Sequence, residues 1–174
     1  MDQIKNEMCP VCHTKNLVLS EEEKEVPHFG KVFLFSMNCS NCKYSVSDVE
    51  CADVHEPSKY TFTIENEKDL NIRVVKSSTA SVKLPQLRMD MTPGPASIGF
   101  ISNIEGLLKK FEDILVNERD NAEDDETRHE AKNLLKKIWK VKCGDVPLKV
   151  IIEDPNGNSA ILSEKAVVEK LKVK

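Results

Sequence analysis

The chain has 174 residues, 40% of them hydrophobic and 31% charged, with a formal net charge of −4. That acidic balance argues against a protein whose main work is covering phosphates, and no apolar run approaches the roughly 18 residues of a membrane span. The length suits one ordinary domain plus a small module, and the first residues, Met1-Asp2-Gln3-Ile4-Lys5, lack the apolar core of a signal peptide.

Two short stretches carry the first chemistry: Cys9-Pro10-Val11-Cys12 and Cys39-Ser40-Asn41-Cys42. Each places two thiols on a tight turn, and a tetrahedral metal needs four ligands converging from two directions. Zinc prefers thiolate sulfur and closes a four-cysteine cage with no open position. Cys9, Cys12, Cys39 and Cys42 are therefore read as ligands of one structural Zn2+. The rival readings are a disulfide pair or a redox CxxC, but neither motif opens a helix after a strand, as a thioredoxin-type site requires. His13 follows Cys12 and could stand in for a cysteine, although four thiols already suffice. Six cysteines without an export signal point to a reducing, cytoplasmic setting.

Residues 1–50 read as a zinc ribbon. An acidic, solvated stretch from Glu21 to Pro27 precedes a strand over Lys31–Met37 that enters the second knuckle, and Tyr44–Val49 leaves it as another. A module this small buries little apolar surface, so metal binding should supply most of its folding free energy. Residues 51–174 read as a β domain with a helical hairpin inserted at about 103–143. Tyr60, Phe62 and Ile64 alternate with polar residues, as do Leu70, Ile72 and Val74. Ser81–Leu84 and Leu87–Met91 add two short strands split at Pro85, and Thr92-Pro93-Gly94-Pro95 is a rigid turn that no ladder can cross. Strands at this spacing suggest a sandwich or small barrel.

The period changes at Ser102, where Ser102-Asn103-Ile104-Glu105 has the form of a capping box. Ile104, Leu107, Leu108, Phe111, Ile114 and Leu115 make one helical stripe, and Ala131, Leu134, Leu135, Ile138 and Trp139 a second. Trp139 is expected in the core, and Gly144 to end the second helix in a left-handed conformation. The acidic run Glu123–Glu126 between the stripes reads as a solvated tip. Val146–Glu153 resumes the sheet, Asn156-Gly157 suggests a hairpin turn, and Ala160–Leu162 returns. Ser163-Glu164 could cap a short helix over Ala166–Leu171. Cys51 and Cys143 are read as buried thiols, with a disulfide between them left open. Asp69, Arg73, Lys76 and Ser77 form a polar row, read as a structural network with an Asp–Arg pair.

In this order the blocks resemble the Zpr-type zinc-finger proteins, in the single-module form found in archaea. The resemblance rests on both knuckles with Lys43-Tyr44, on His28-Phe29, and on Asp69-Leu70-Asn71-Ile72-Arg73-Val74-Val75-Lys76-Ser77. It continues through Leu84-Pro85-Gln86-Leu87, Pro93-Gly94-Pro95-Ala96-Ser97, Phe100–Gly106 and Asp154-Pro155-Asn156-Gly157-Asn158-Ser159. Two positions depart: Lys43 stands where the family commonly has Gly, and Gln86 where it commonly has Glu. The resemblance implies an α+β, mainly β fold: a zinc ribbon joined to a domain like a double-stranded β-helix with an antiparallel helical hairpin. It further implies a folding or assembly factor whose client is translation elongation factor one-alpha.

The expected function is protein binding, with no catalytic residue and no cofactor-binding residue beyond the zinc ligands, and with no membrane partner. The alternative is an RNA- or ribosome-associated zinc ribbon. It needs a basic stripe, whereas residues 1–50 hold at least as many acids as bases. An enzyme with a site inside the β domain is a third reading. It needs a convergent histidine–carboxylate cluster, and His55 and His129 lie in no nucleophile pattern. The phosphate-loop pattern is absent.

Overall fold

The computed structural model describes residues 2–26, 30–52 and 55–172. His28 and Phe29, part of the family-like pattern, lie outside the described residues. Strands β1 (Asp2–Glu7), β2 (Leu17–Val26), β3 (Gly30–Cys39) and β4 (Ser45–Cys51) form an antiparallel sheet in that order. The expected strands at either side of the second knuckle are β3 and β4, and the acidic stretch, expected as a solvated loop or edge, is as far as Val26 part of the long inner strand β2.

The rest of the chain builds two further sheets and a helical hairpin. The elements are β5 (Ser58–Ile64), β6 (Arg73–Lys76), β7 (Ser81–Leu84), β8 (Met89–Met91), β9 (Phe100–Asn103), α1 (Ile104–Asn121) and α2 (Asp125–Lys142). They are followed by β10 (Leu148–Asp154), β11 (Ala160–Ile161) and β12 (Val167–Lys170). A five-stranded sheet runs β12-β5-β10-β7-β8 and a three-stranded one β11-β6-β9, with every pair antiparallel. Alternation decides the five-stranded sheet's inner face. Leu148, Val150 and Ile152 of β10 stand opposite Ile64, Phe62 and Tyr60 of β5. They share one core with Val74, Val82, Leu84 and Ile161. The hairpin enters that same core: Ile104, Leu107, Leu108, Phe111 and Ile138 are buried in it. It is thus an inserted element that completes the interior, not an appendage.

The ends of the helices follow local chemistry. The cap of α1 is Asn103, whose Oδ1 accepts from the Gly106 N–H at 2.8 Å. The capping box anchored on Ser102 is one residue early, because Ser102 is still paired with Val74 in the β6–β9 ladder. Asp124 caps α2 by accepting from the Thr127 N–H at 2.7 Å. Gly144 ends it at φ +76°, as expected, with the Asp145 N–H reaching the Lys140 carbonyl at 2.9 Å.

Several sequence expectations give way to tertiary structure. Leu70 and Ile72 are not in a strand: Glu67–Asn71 is a 3-10 turn capped by Asn66, and the strand starts at Arg73. Pro85–Leu87 is likewise a 3-10 turn, followed by Arg88 in the left-handed region before β8. The Asn156-Gly157 turn does not close a hairpin. It carries the chain from β10 in one sheet to β11 in the other, where β11 pairs with β6. The segment after Ser163 is strand β12 against β5, not a helix, since Val167 and Val168 meet an open edge there. Trp139 is 60% exposed, because Ala131, Ile138 and Val141 take the inward face and leave the neighbouring position on the flank. Cys51 and Cys143 are free thiols and only half-buried, with Cys51 packed against the cluster of Val32, Val49, Val75 and Ala160. The Asp69–Arg73 pair does not form: Asp69 accepts from the Glu65 N–H at 2.9 Å and Lys165 Nζ at 3.1 Å. Arg73 is exposed.

The other half of that polar row is a buried network. The Asp154 carboxylate is 0% exposed. Its Oδ2 accepts from Ser77 Oγ at 2.7 Å and Ser159 Oγ at 2.6 Å, and its Oδ1 from Thr79 Oγ1 at 2.8 Å and the Asn156 N–H at 2.9 Å. Lys76, 1% exposed, donates through Nζ to the Ser77 carbonyl at 3.0 Å. Burial alone would push the Asp154 pKa up, but the donors from Ser159, Ser77, Asn156 and Thr79 outweigh it and hold the group below the ordinary carboxylate value. One carboxylate thereby ties the end of β6, the loop after it and the sheet-to-sheet turn.

A depressed folded pKa contributes stability that is present above the unfolded value and is lost as pH falls through the folded one. Asp154→Asn is expected to lower stability by about 2–3 kcal/mol at neutral pH, since buried donors lose a charged acceptor. Chemical denaturation at stepped pH checks this: wild type should lose stability as pH drops below about 4, and the variant should lose markedly less there.

Candidate metal centre

The two knuckles are copies of one turn. The Cys9 N–H donates to the Thr14 carbonyl at 2.9 Å and the His13 N–H to the Cys9 carbonyl at 3.0 Å. The Cys39 N–H donates to the Tyr44 carbonyl at 2.8 Å and the Lys43 N–H to the Cys39 carbonyl at 3.1 Å. Strand pairing brings the turns together. β2 begins just after the first knuckle, β3 ends in the second, and Leu17 stands opposite Cys39. The Ser40 N–H then reaches the Asn16 carbonyl at 3.1 Å and ties one knuckle to the other.

All four sulfurs lie within 4.8 Å of one another. Cys9 Sγ is 3.7 Å from Cys42 Sγ, and Cys12 Sγ is 3.6 Å from Cys39 Sγ. A zinc ion with Zn–S bonds of about 2.3 Å has tetrahedral S···S edges of about 3.8 Å. A disulfide requires about 2.05 Å, so these separations fit metal ligation and not a disulfide. Cys9 and Cys39 are buried, and Leu17, Leu19, Met37 and Tyr44 pack round the cluster. The residues fit the ion: Cys9, Cys12, Cys39 and Cys42 form a zinc-binding site for one structural Zn2+. When bound, the ion supplies folding free energy. Four protein ligands fill its coordination sphere, so this chain offers no place at the metal for water or substrate.

The thiols are not equivalent before metal binds. The Thr14 hydroxyl, 3.1 Å from Cys12 Sγ, and then Asn41 lower the Cys12 pKa to about 5. The Tyr44 backbone pulls Cys42 the same way, but burial and the neighbouring sulfurs push it up to about 12. Four thiolates together need a cation, and the divalent ion removes the repulsion that keeps protons on the set.

The glycine-like conformation implied at Lys43 is present, and the matching one at His13 is the feature that the sequence reading missed. Lys43 sits at φ +62°, the conformation expected of the residue where the family commonly has Gly, and His13 sits at φ +55° in the matching place of the first knuckle. The equivalence of the two positions, each just after its knuckle's second cysteine, is the signal that would have found His13. His13 is exposed and belongs to the turn, not to the ligand set. Lys43 is partly offset by its Nζ, which donates to the Ser40 carbonyl at 3.0 Å. Among the described residues, His55 and His129 are exposed and join no metal-capable cluster.

Two outcomes are expected. His13→Gly and Lys43→Gly should each stabilise the zinc-loaded protein by about 0.5–1 kcal/mol in thermal unfolding, by relieving left-handed strain. Treatment with a strong chelator should remove hydrogen-exchange protection from both knuckles while the amides of β5 and β10 stay protected, because the two regions bury separate clusters.

Comparison with known proteins follows the same lines. The ZPR1 jelly-roll domain matches residues 68–174. A ZPR1-like protein of Methanocaldococcus jannaschii is 39% identical, over 99% of this chain and 91% of its own. One of Pyrococcus horikoshii is 40% identical, over 94% of this chain and 75% of its own. The zinc finger chaperone zpr1 of Schizosaccharomyces pombe is 31% identical over 78% of this chain, which corresponds to 30% of that longer protein. The jelly-roll match covers the hairpin and every strand of the second and third sheets except β5, and the relatives' similarity extends through the cysteine knuckles, so this chain belongs to the ZPR1 family.

Proposed function

We propose that this chain is a zinc-stapled protein-binding module, a folding or assembly factor in the cytoplasm whose client is translation elongation factor one-alpha. Residues 1–50 and 51–174 would be its two working units, and it would act by surface complementarity rather than by chemistry at a catalytic site. One observation carries the reading: the hairpin and the first knuckle keep large apolar side chains in water. Trp139 is 60% exposed and Ile114 52% on the helical hairpin, and Met8 and Val11 are each 59% exposed beside the first knuckle. Isolated apolar residues are ordinary on a surface, but a tryptophan exposed on a helix that the core holds rigid is a typical anchor for a protein partner. The fission-yeast relative named as a chaperone supports the class of function, and the closed metal site agrees with it. The client rests on the family resemblance.

The test uses purified components. Denatured elongation factor one-alpha is diluted into buffer with and without the zinc-loaded protein, and the yield of nucleotide-binding factor is measured. A higher yield, abolished by Cys39→Ser with Cys42→Ser and reduced at least several-fold by Trp139→Ala, is the expected result. No change in yield, together with salt-sensitive binding of ribosomal RNA, would replace this reading with the nucleic-acid one.

A further inference from the structure

The two faces of the ribbon sheet carry different residues. Side chains alternate along a strand, so the pairing register assigns each residue to a face. Val32, Leu34, Val49 and Cys51 share one face, and it packs on Val75, Ala160 and Leu162 of the jelly roll. The opposite face begins at the knuckles with buried Leu17 opposite Cys39 and ends with Glu25 opposite Lys31, and three cross-strand rows lie between them. The first of these is Ile4, Leu19, Met37 and Val46, apolar across all four strands, with Leu19 and Met37 packed against the cysteine cluster. The next is Asp2, Glu21, Phe35 and Asp48, and the third is Glu23, Phe33 and Glu50.

Phe33 and Phe35 run up the central strand with ring centroids 6.4 Å apart. Neither belongs to any of the buried apolar clusters among the described residues. Ile4, at the other end of the apolar row, is 60% exposed. Carboxylates stand on both sides of the phenylalanines. Asp48 is occupied, accepting from the Gly99 N–H at 2.6 Å, and Glu23 pairs with Lys31 at 2.6 Å. Asp2, Glu21 and Glu50 are exposed and form no ion pair among the described residues. The pattern is an apolar band flanked by unneutralised negative charge. Such a band repels nucleic acid and anionic lipid alike and is complementary to cations.

We propose that this outward face docks a basic segment of a protein partner, in which apolar side chains sit between arginines or lysines. The apolar side chains cover Phe33, Phe35, Met37 and Ile4. The cations meet Glu21, Glu50 and Asp2, and an arginine laid over either phenylalanine ring adds a cation–π contact. This inference rests on the protein-binding reading and names the chemistry of the partner and the surface that takes it.

The probe is a short synthetic peptide of alternating leucine and arginine, with a leucine–glutamate peptide and a single-stranded RNA oligonucleotide beside it. Binding to zinc-loaded protein is followed by fluorescence anisotropy, and amide shifts map the surface. The Leu–Arg peptide should bind and shift β2, β3 and β4 while leaving α1 and α2 unmoved, and its affinity should fall with salt. Glu21→Lys with Glu50→Lys, both at exposed positions, should weaken it by about tenfold or more. Phe35→Ala should weaken it as well, with one bound zinc per chain retained as the folding control. Failure of the Leu–Arg peptide to bind, equal binding by the charge-reversed variant, equal binding of the Leu–Glu peptide, or preference for RNA would each overturn the proposal. Elongation factor one-alpha assayed with the charge-reversed variant separates this idea from the functional one. Undiminished client activity alongside lost peptide binding assigns the face to a different basic partner, whereas inactivity of wild type removes the client and leaves the peptide result to judge the face.

Discussion

Four thiolates cannot share a space 3.6–3.7 Å apart without a cation between them, and the ribbon is arranged round that constraint. The cluster beneath the knuckles is small: Cys9, Leu17 and Cys39 are its buried members. So little apolar burial does not hold four strands together, and metal binding supplies what the core lacks. The knuckles also dictate backbone strain. Turning a chain so that two sulfurs face one point places His13 and Lys43 in the left-handed region, a cost the closed metal site offsets.

The jelly roll solves its closure differently. There a buried carboxylate organises the turn between sheets, with Asp154 gathering donors from Ser77, Thr79, Asn156 and Ser159. A charge with this many donors is tolerated in an apolar interior because each lone pair that lost water found a replacement. Between the two regions runs a narrow apolar seam of Val32, Val49, Val75 and Ala160. Gly99 lies against it, where a side chain would collide with the Val49 carbonyl, and its N–H is held by Asp48. The ribbon therefore sits on the jelly roll by one face and one edge, and the opposite face of its sheet holds half-buried Phe33 and Phe35 beyond the cysteine cluster.

This arrangement separates the groups that hold the fold from the apolar groups that meet solvent. Metal and carboxylate networks point inward and are saturated by protein groups. Apolar groups that the core does not take stand outward on the hairpin and on the ribbon sheet. A binding protein needs both: rigid scaffolds that lose little entropy on association, and desolvatable anchors. The hairpin's participation in the core makes it such a scaffold, since Leu107, Leu108 and Phe111 pin α1 to the sheets while Trp139 stays outside.

The sequence by itself determined the metal ligands, the helical hairpin, its left-handed stop at Gly144 and most strands. These depend on spacing and period, which are local. The cysteine pairs fix two sulfurs per turn whatever surrounds them, and a stripe every three or four residues has one stable use in water. Tertiary structure decided the rest. Leu70 and Ile72 alternate like a strand, but Asn66 caps a 3-10 turn through that stretch. Asn156-Gly157 turns the chain as its chemistry demands, yet only the position of β6 decides that β11 joins a second sheet. Asp69 found Lys165 instead of Arg73, 96 residues away in the chain, because the partner of a buried charge is chosen by the folded neighbourhood and not by nearness in sequence. Trp139 belongs to an apolar stripe in sequence, but Ala131, Ile138 and Val141 take the buried face of α2, so packing between elements put the one tryptophan on the surface.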